Sequence, residues 1–222
     1  MGFETGGRGE THRVAQRYAR PPTPTRGHTL RKLVYYVAVT LDGFIAGPDG
    51  GDPVGESYFP LHEDLIEFIA TEFPETLPGV ARQAMGIDAP NKTFDTALEG
   101  RSTYEIGLAA GITNAYPHLR HLVFSTTMGQ SPDPTVELVA TDPVQTVRRL
   151  KAEEGLDIWI VGGGKLAHAL LPEIDRLILK QNTSVIGSGI PMFDGPFQPH
   201  LFRPTDVRQL DSGIRIQTFD RL

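Results

Sequence analysis

Two rhythms of apolar residues alternate along this chain. Unbroken runs stand at Leu33–Val39 (LVYYVAV), at 121–126 (HLVFST) and at 157–161 (DIWIV). Runs of this length, rich in β-branched and aromatic side chains, predict strands covered on both faces. Weaker strands are predicted over 94–98 (FDTAL) and 175–185 (DRLILKQNTSV), and the alternating 214–221 (IRIQTFDR) predicts a closing antiparallel edge strand. Between these runs the apolar spacing lengthens to three and four. Residues 61–70 place Leu61, Leu65, Phe68 and Ile69 on one helical face, and 102–110 (STYEIGLAA) reads as a short helix. A helix over 144–155 is apolar at Val144, Val147 and Leu150 and stops at Gly155; another, over 164–171 (GKLAHALL), stops at Pro172. Residues 73–91 form a broken connection with a short helix at 79–85.

Strands alternating with helices predict an α/β fold: a single three-layer domain over 31–222, with a mostly parallel sheet, helices on both faces and an antiparallel C-terminal edge. Residues 1–30 follow another composition, rich in Gly, Pro and Arg (Arg8, Arg13, Arg17, Arg20, Arg26) and nearly free of aliphatics. Such a segment buries too little surface to offset its ordering entropy and is expected to be a flexible extension, with a basic arm for an anionic partner as the alternative.

Composition narrows the function. A net charge of −6 gives no support for nucleic-acid binding. The absence of cysteine excludes disulfides and thiolate zinc sites and fits a cytoplasmic setting. No apolar run reaches membrane-spanning length, no secretory h-region opens the chain, and no H-x-H or H-x-x-x-H pair suggests a metal.

In sheets of this class ligands lie beyond the carboxyl ends of the strands, so the strand–helix junctions carry the candidate chemistry. At Gly162-Gly163-Gly164-Lys165, glycines allow a sharp turn and leave helix-start amides open to an anion. The alternative is a tight turn whose glycines serve packing alone. At EGRSTYE (99–105), Ser102 and Glu105 have capping-box spacing and Arg101 adds a guanidinium; this reads as a second anion site or as an ordinary capped helix. At Ser125, Thr126 and Thr127, hydroxyls leave a buried strand for phosphate oxygens or for their own turn. Together the three junctions suit a phosphorylated dinucleotide laid across the strand ends.

The ordered set LVYYVAVTLDGFIAGPDG (33–50), ALEGRSTYE (97–105), LVFSTT (122–127) and IWIVGGGKLAHALLP (158–172) resembles the dihydrofolate reductase superfamily. It is most similar to the bacterial branch related to the reductase domain of riboflavin biosynthesis, over residues 32–221. The resemblance implies an eight-stranded sheet, NADPH as cofactor, a pterin- or pyrimidine-like substrate and a homodimer. It implies that Gly100, Arg101, Ser102 and Thr103 meet the cofactor phosphates, with Ser125 and Thr126 beside the 2′-phosphate. Gly163, Gly164, Lys165 and Leu166 would line the pyrophosphate; Ala38 and Ile45 would border the nicotinamide, with Val161 nearby and 40–47 as a mobile loop above. No deaminase segment precedes the reductase-like part, which weighs against a complete riboflavin-pathway role.

Hydride reduction of a C=N or C=O group needs a proton for the heteroatom. Asp64 is the candidate catalytic residue: it lies on or beside the apolar helix face, where desolvation would raise its pKa unless it paired with a cationic ring. Its other reading is a helix-start carboxylate favouring the dipole. The two functional readings are therefore an NADPH-dependent reductase and a non-catalytic NADPH-binding module of the same fold.

Overall fold

The structure, a computed structural model, describes residues 30–222. The extension expected over residues 1–30 falls, save its last residue, outside the described residues. In chain order the strands are β1 (Leu33–Val39), β2 (Phe44–Ala46), β3 (Phe94–Gly100), β4 (Arg120–Phe124), β5 (Val136–Val139), β6 (Asp157–Gly162), β7 (Arg176–Gln181), β8 (Ile190–Pro191), β9 (Phe202–Gln209) and β10 (Arg215–Arg221). The helices are α1 (Glu63–Glu72), α2 (Gly79–Ala84), α3 (Arg101–Ala109), α4 (Pro143–Lys151) and α5 (Gly164–Ala169).

Eight strands make one sheet in the order β5-β4-β3-β6-β1-β7-β10-β9, parallel from β5 to β7, with β10 and β9 antiparallel at the end. β2 and β8 pair separately. The expected α/β architecture is the observed one. Alternation along the central strands gives two large core clusters, beside a smaller one of Tyr104, Val123 and Val136. Leu33, Tyr35, Val37, Leu98, Leu122, Ile158 and Ile160 join α4 and α5 residues on one face. Val34, Tyr36, Phe94, Trp159 and Ile178 join Leu65 and Phe68 of α1 on the other. β1, central and apolar on both sides, matches its predicted bounds residue for residue.

Several elements differ from expectation. Leu61 precedes α1 and is exposed, because the helix begins at Glu63. α5 ends at Ala169, and Pro172 sits inside a 3₁₀ turn (Leu171–Glu173) in place of stopping a longer helix. β10 is not the edge: β9 covers it. β9 reads FRPTDVRQ, polar and almost wholly exposed, so no alternation marks it; its Pro204 stands opposite Phe219 at a bulge, where a missing N–H is tolerated. Here the β10 ladder supplies the order that β9's own side chains do not.

β1 and β6 pair only from Leu33↔Ile158 to Tyr35↔Ile160, while the β1–β7 ladder continues to Val39↔Gln181. The carboxyl ends of β1 and β6 are thus unpaired with each other. The carbonyl of Tyr36, one residue past the last pair, accepts the Trp159 indole N–H at 2.9 Å.

Candidate active site

β4, β3 and β6 are neighbours, and their ends are level: Gly100 stands opposite Phe124, and Glu99 opposite Gly162. The three junctions singled out from sequence therefore share one rim. β3 passes into α3 without a connecting residue, so Gly100 is the N-cap and has no side chain to bond the first-turn amides. This corrects the capping-box reading. Ser102 lies inside the first turn, and Glu105 instead approaches Arg101, Nε to Oε1 at 3.5 Å. The amides stay open to an anion, and the helix dipole favours one there.

Arg101 reaches across to the β4 turn, donating from Nη1 to Thr127 Oγ1 at 2.6 Å. Ser125 is buried, and its Oγ accepts the amides of Thr127 and Met128 at 3.2 and 2.9 Å, so it serves the turn; Thr126 is exposed beside it. The guanidinium thus stands between the α3 start and a hydroxyl-bearing turn. Beneath α3, buried Glu99 lies 3.5 Å from Nε2 of buried His121, whose Nδ1 pairs with Asn114 Oδ1 at 3.0 Å.

Two of the three glycines have separate duties. Gly163 has φ +95°, which a side-chain-bearing residue adopts only under strain. A Cβ there would stand 3.3 Å from Thr103 Oγ1, so Thr103 borders this turn, and Gly100 meets Leu166 in the same way. A Cβ on Gly164 would collide with the carbonyl oxygen of Pro191. The Asp194 amide donates to the Gly164 carbonyl at 3.0 Å. Lys165 is exposed, and among the described residues it makes no salt bridge.

The loop over 40–47 is tied to the 184–192 segment. Met192 N donates to Gly43 O at 3.0 Å, Leu41 N to Ser184 O at 2.8 Å, and Gly187 N to Asp42 Oδ2 at 2.7 Å. The Thr40 hydroxyl, followed by the amides of Gly187 and Ile186, holds the Asp42 carboxyl below the usual range. Ile45 is buried with Val37, Val39 and Leu166 on the α5 face. Ala38 and Val161 occupy the unpaired ends of β1 and β6, and Val161 packs with the α1 face.

Asp64 behaves differently from its expectation. Its Oδ2 accepts the Ser212 amide, in the β9–β10 turn, at 2.7 Å. That bond, before any other contact, lowers its pKa despite some desolvation. The expected rise is not seen because α1 starts beside an amide that stabilises the carboxylate.

A residue passed over in the sequence stands out. Lys180, half-buried on β7 opposite Ala38, lays its ammonium 3.4 Å from the Tyr36 ring centroid. Burial pushes its pKa down to about 7. The signal was available in LILK: Ile178 and Lys180 share a face of a strand that turns out to lie between two others.

Residues 110–216 match the family model of the RibD C-terminal domain. The chain is 31% identical over 188 residues to uncharacterized protein YwjB of Bacillus subtilis (strain 168), across 84% of this chain and 96% of that protein. It is 24% identical over 197 residues to uncharacterized protein YyaP of the same organism, across 83% and 92%. Among solved structures it resembles a Shewanella sp. PV-4 protein named for riboflavin biosynthesis, with TM-score 0.62, 19% identity, and 86% and 99% of the two chains covered. It also resembles the Thermotoga maritima diaminohydroxyphosphoribosylaminopyrimidine deaminase/5-amino-6-(5-phosphoribosylamino)uracil reductase, with TM-score 0.58 and 18% identity; 87% of this chain aligns, spanning 57% of that one. At these identities the two structures speak to fold alone.

Proposed function

Because the chain belongs to the RibD C-terminal domain family, whose fold is that of the dihydrofolate reductases, we propose that it is an NADPH-dependent reductase of a small planar heterocycle of the pterin or pyrimidine kind. The observation that carries this reading is the convergence of the α3 start, the Arg101–Thr127 contact and the Gly163–Gly164 turn on one rim. The residue types fit a phosphorylated dinucleotide: the rim carries an uncapped helix start and a guanidinium, and an exposed lysine follows the glycine turn. Arg101, Ser102 and Thr103 would hold phosphates with the amides of 163–165 and Lys165. Arg101 with the Ser125–Thr127 turn would take the 2′-phosphate, and Ala38, Val161 and Ile45 would flank the ring. Bound there, reduced nicotinamide supplies a hydride. The chain's own part is to orient the two rings at the open ends of β1 and β6, exclude water and deliver a proton. The reductase named for the Thermotoga maritima protein supports a pyrimidine among the candidate substrates.

The engagement of Asp64 by Ser212 favours a second reading, a non-catalytic NADPH-binding module. Turnover of dihydrofolate or 5-amino-6-(5-phosphoribosylamino)uracil with NADPH ends that reading. For the cofactor itself, Arg101→Ala is expected to weaken NADPH by about ten- to a hundredfold, the worth of a charge-assisted hydrogen bond, and to weaken NADH far less. Calorimetric titration of both nucleotides checks this; equal losses remove the 2′-phosphate role of Arg101.

A further inference from the structure

We propose that Lys180 is the catalytic proton donor of this site, a step that rests on the reductase reading above. Its ammonium is placed for the role. It extends from β7 over the Tyr36 ring toward β1, on the face shared by Ala38, and β1 is the strand whose carboxyl end parts from β6. It carries no partner of its own: among the described residues it makes no hydrogen bond and no salt bridge. An ammonium kept without an acceptor on an aromatic-lined face is poised for a heteroatom that arrives with a ligand.

The charged groups of the surrounding elements are engaged elsewhere through at least one atom or face water, Asp64 and Glu75 each keeping one buried oxygen without a partner. On α1, Asp64 is bonded to Ser212, Glu63 and Glu67 are exposed, and Glu72 lies 3.7 Å from Arg208. In the 3₁₀ turn after α1, Glu75 accepts the amides of Thr93 and Phe94 at 2.7 and 2.9 Å. Arg208 of β9 sits over Phe68, and Arg215 of β10, opposite Gln181, is exposed. The Tyr36 phenol is fully buried, and that burial raises its pKa. Among these groups Lys180 combines the position with a proton that is easily released near neutrality, since desolvation disfavours its charged form.

The step balances. Hydride from reduced nicotinamide adds to the carbon of a C=N or C=O bond, and the π electron pair moves to the heteroatom. That atom takes a proton from Lys180 Nζ, which becomes a neutral amine and regains its proton from water. The substrate gains two electrons and two hydrogens, and the nicotinamide is oxidised.

The test uses the full chain, Lys180→Met and Lys180→Arg. The first readout needs no turnover. The chain has five lysines, so 13C-methylated protein gives few signals, and the one lost in Lys180→Met is assigned directly. That signal is expected to titrate near 7. The second readout is NADPH consumption from pH 5 to 9 with dihydrofolate and with 5-amino-6-(5-phosphoribosylamino)uracil. Wild type is expected to lose kcat/KM as pH rises through about 7. Lys180→Met should lose about a hundredfold in kcat together with that limb. Arginine keeps the charge but cannot release its proton, so Lys180→Arg should fail to restore the rate. NADPH should raise the melting temperature of all three proteins alike, which shows that the variants fold and bind. A Lys180 signal titrating with the ordinary lysines, or a Lys180→Met protein retaining both rate and pH limb, overturns the donor and leaves the reductase reading standing. Failure of wild type to bind NADPH, or to oxidise it with either probe, overturns both.

Discussion

At Lys180 a single side chain links stability to pH. Its folded pKa is pushed down to about 7, against an ordinary value of about 10.4 in the unfolded chain. Between these values the unfolded chain binds more protons, so stability should rise with pH over that window. Below about 7 the ammonium is charged in both states, and its desolvation cost is felt in full. Urea midpoints of wild type and Lys180→Met, followed from pH 6 to 10, should show wild type gaining on the variant as pH increases; parallel curves would mean an unperturbed lysine. Gly164 shows another residue-scale constraint. Its missing Cβ makes room for the Pro191 carbonyl, so Gly164→Ala should cost about 1–3 kcal/mol through overpacking. Because Gly164 also receives the Asp194 amide, the same change should loosen the 187–195 segment, read as faster amide exchange at Asp194.

At the scale of elements, helix starts differ by purpose. α4 is capped: Asp142 accepts the amides of Val144 and Gln145 at 2.9 and 3.3 Å, and Pro143 fills N1. Asp142→Ala should cost about 1 kcal/mol, measurable by chemical denaturation. α3 is uncapped at the rim, where its amides face the proposed phosphates, so the same kind of helix end is satisfied locally in one place and left for a ligand in the other. Between strands, Arg176 pairs with Asp220 through Nε–Oδ1 at 2.6 Å and Nη2–Oδ2 at 3.0 Å, tying the last parallel strand to β10. That guanidinium holds the Asp220 carboxyl below its usual range. The bond's contribution is therefore present above the ordinary carboxylate pKa and lost as pH falls through the lowered one. Asp220→Asn should cost about 1 kcal/mol near neutrality, part of the pair's strength being screened by solvent, and the difference from wild type should close in acid.

At the scale of the whole molecule, cofactor binding and folding are one equilibrium. The proposed site draws on β4, β3, β6, β1 and β7, so it exists only in the folded sheet. NADPH at about a hundred times its dissociation constant should therefore add about 2.7 kcal/mol of stability; no shift in melting temperature at saturating NADPH would refute the site. The sequence by itself determined the alternation of apolar strands and amphipathic helices, the junctions at 99–105, 121–127 and 157–165, and the residue types able to meet an anion there. These are local: a buried strand needs an apolar run, and a sharp turn needs glycine, wherever the strand sits in the sheet. Strand order was decided only by the tertiary structure, and with it everything that depends on neighbours. It set Arg101 against Thr127, gave Asp64 the Ser212 amide in place of a desolvating pocket, and closed the sheet with β9, whose polar sequence carries no pattern of its own. It also put a lysine at the end of LILK between two strands and over an aromatic ring. A side chain's protonation depends on what surrounds it in space, and residues 36 and 180 become neighbours only when β1 and β7 pair.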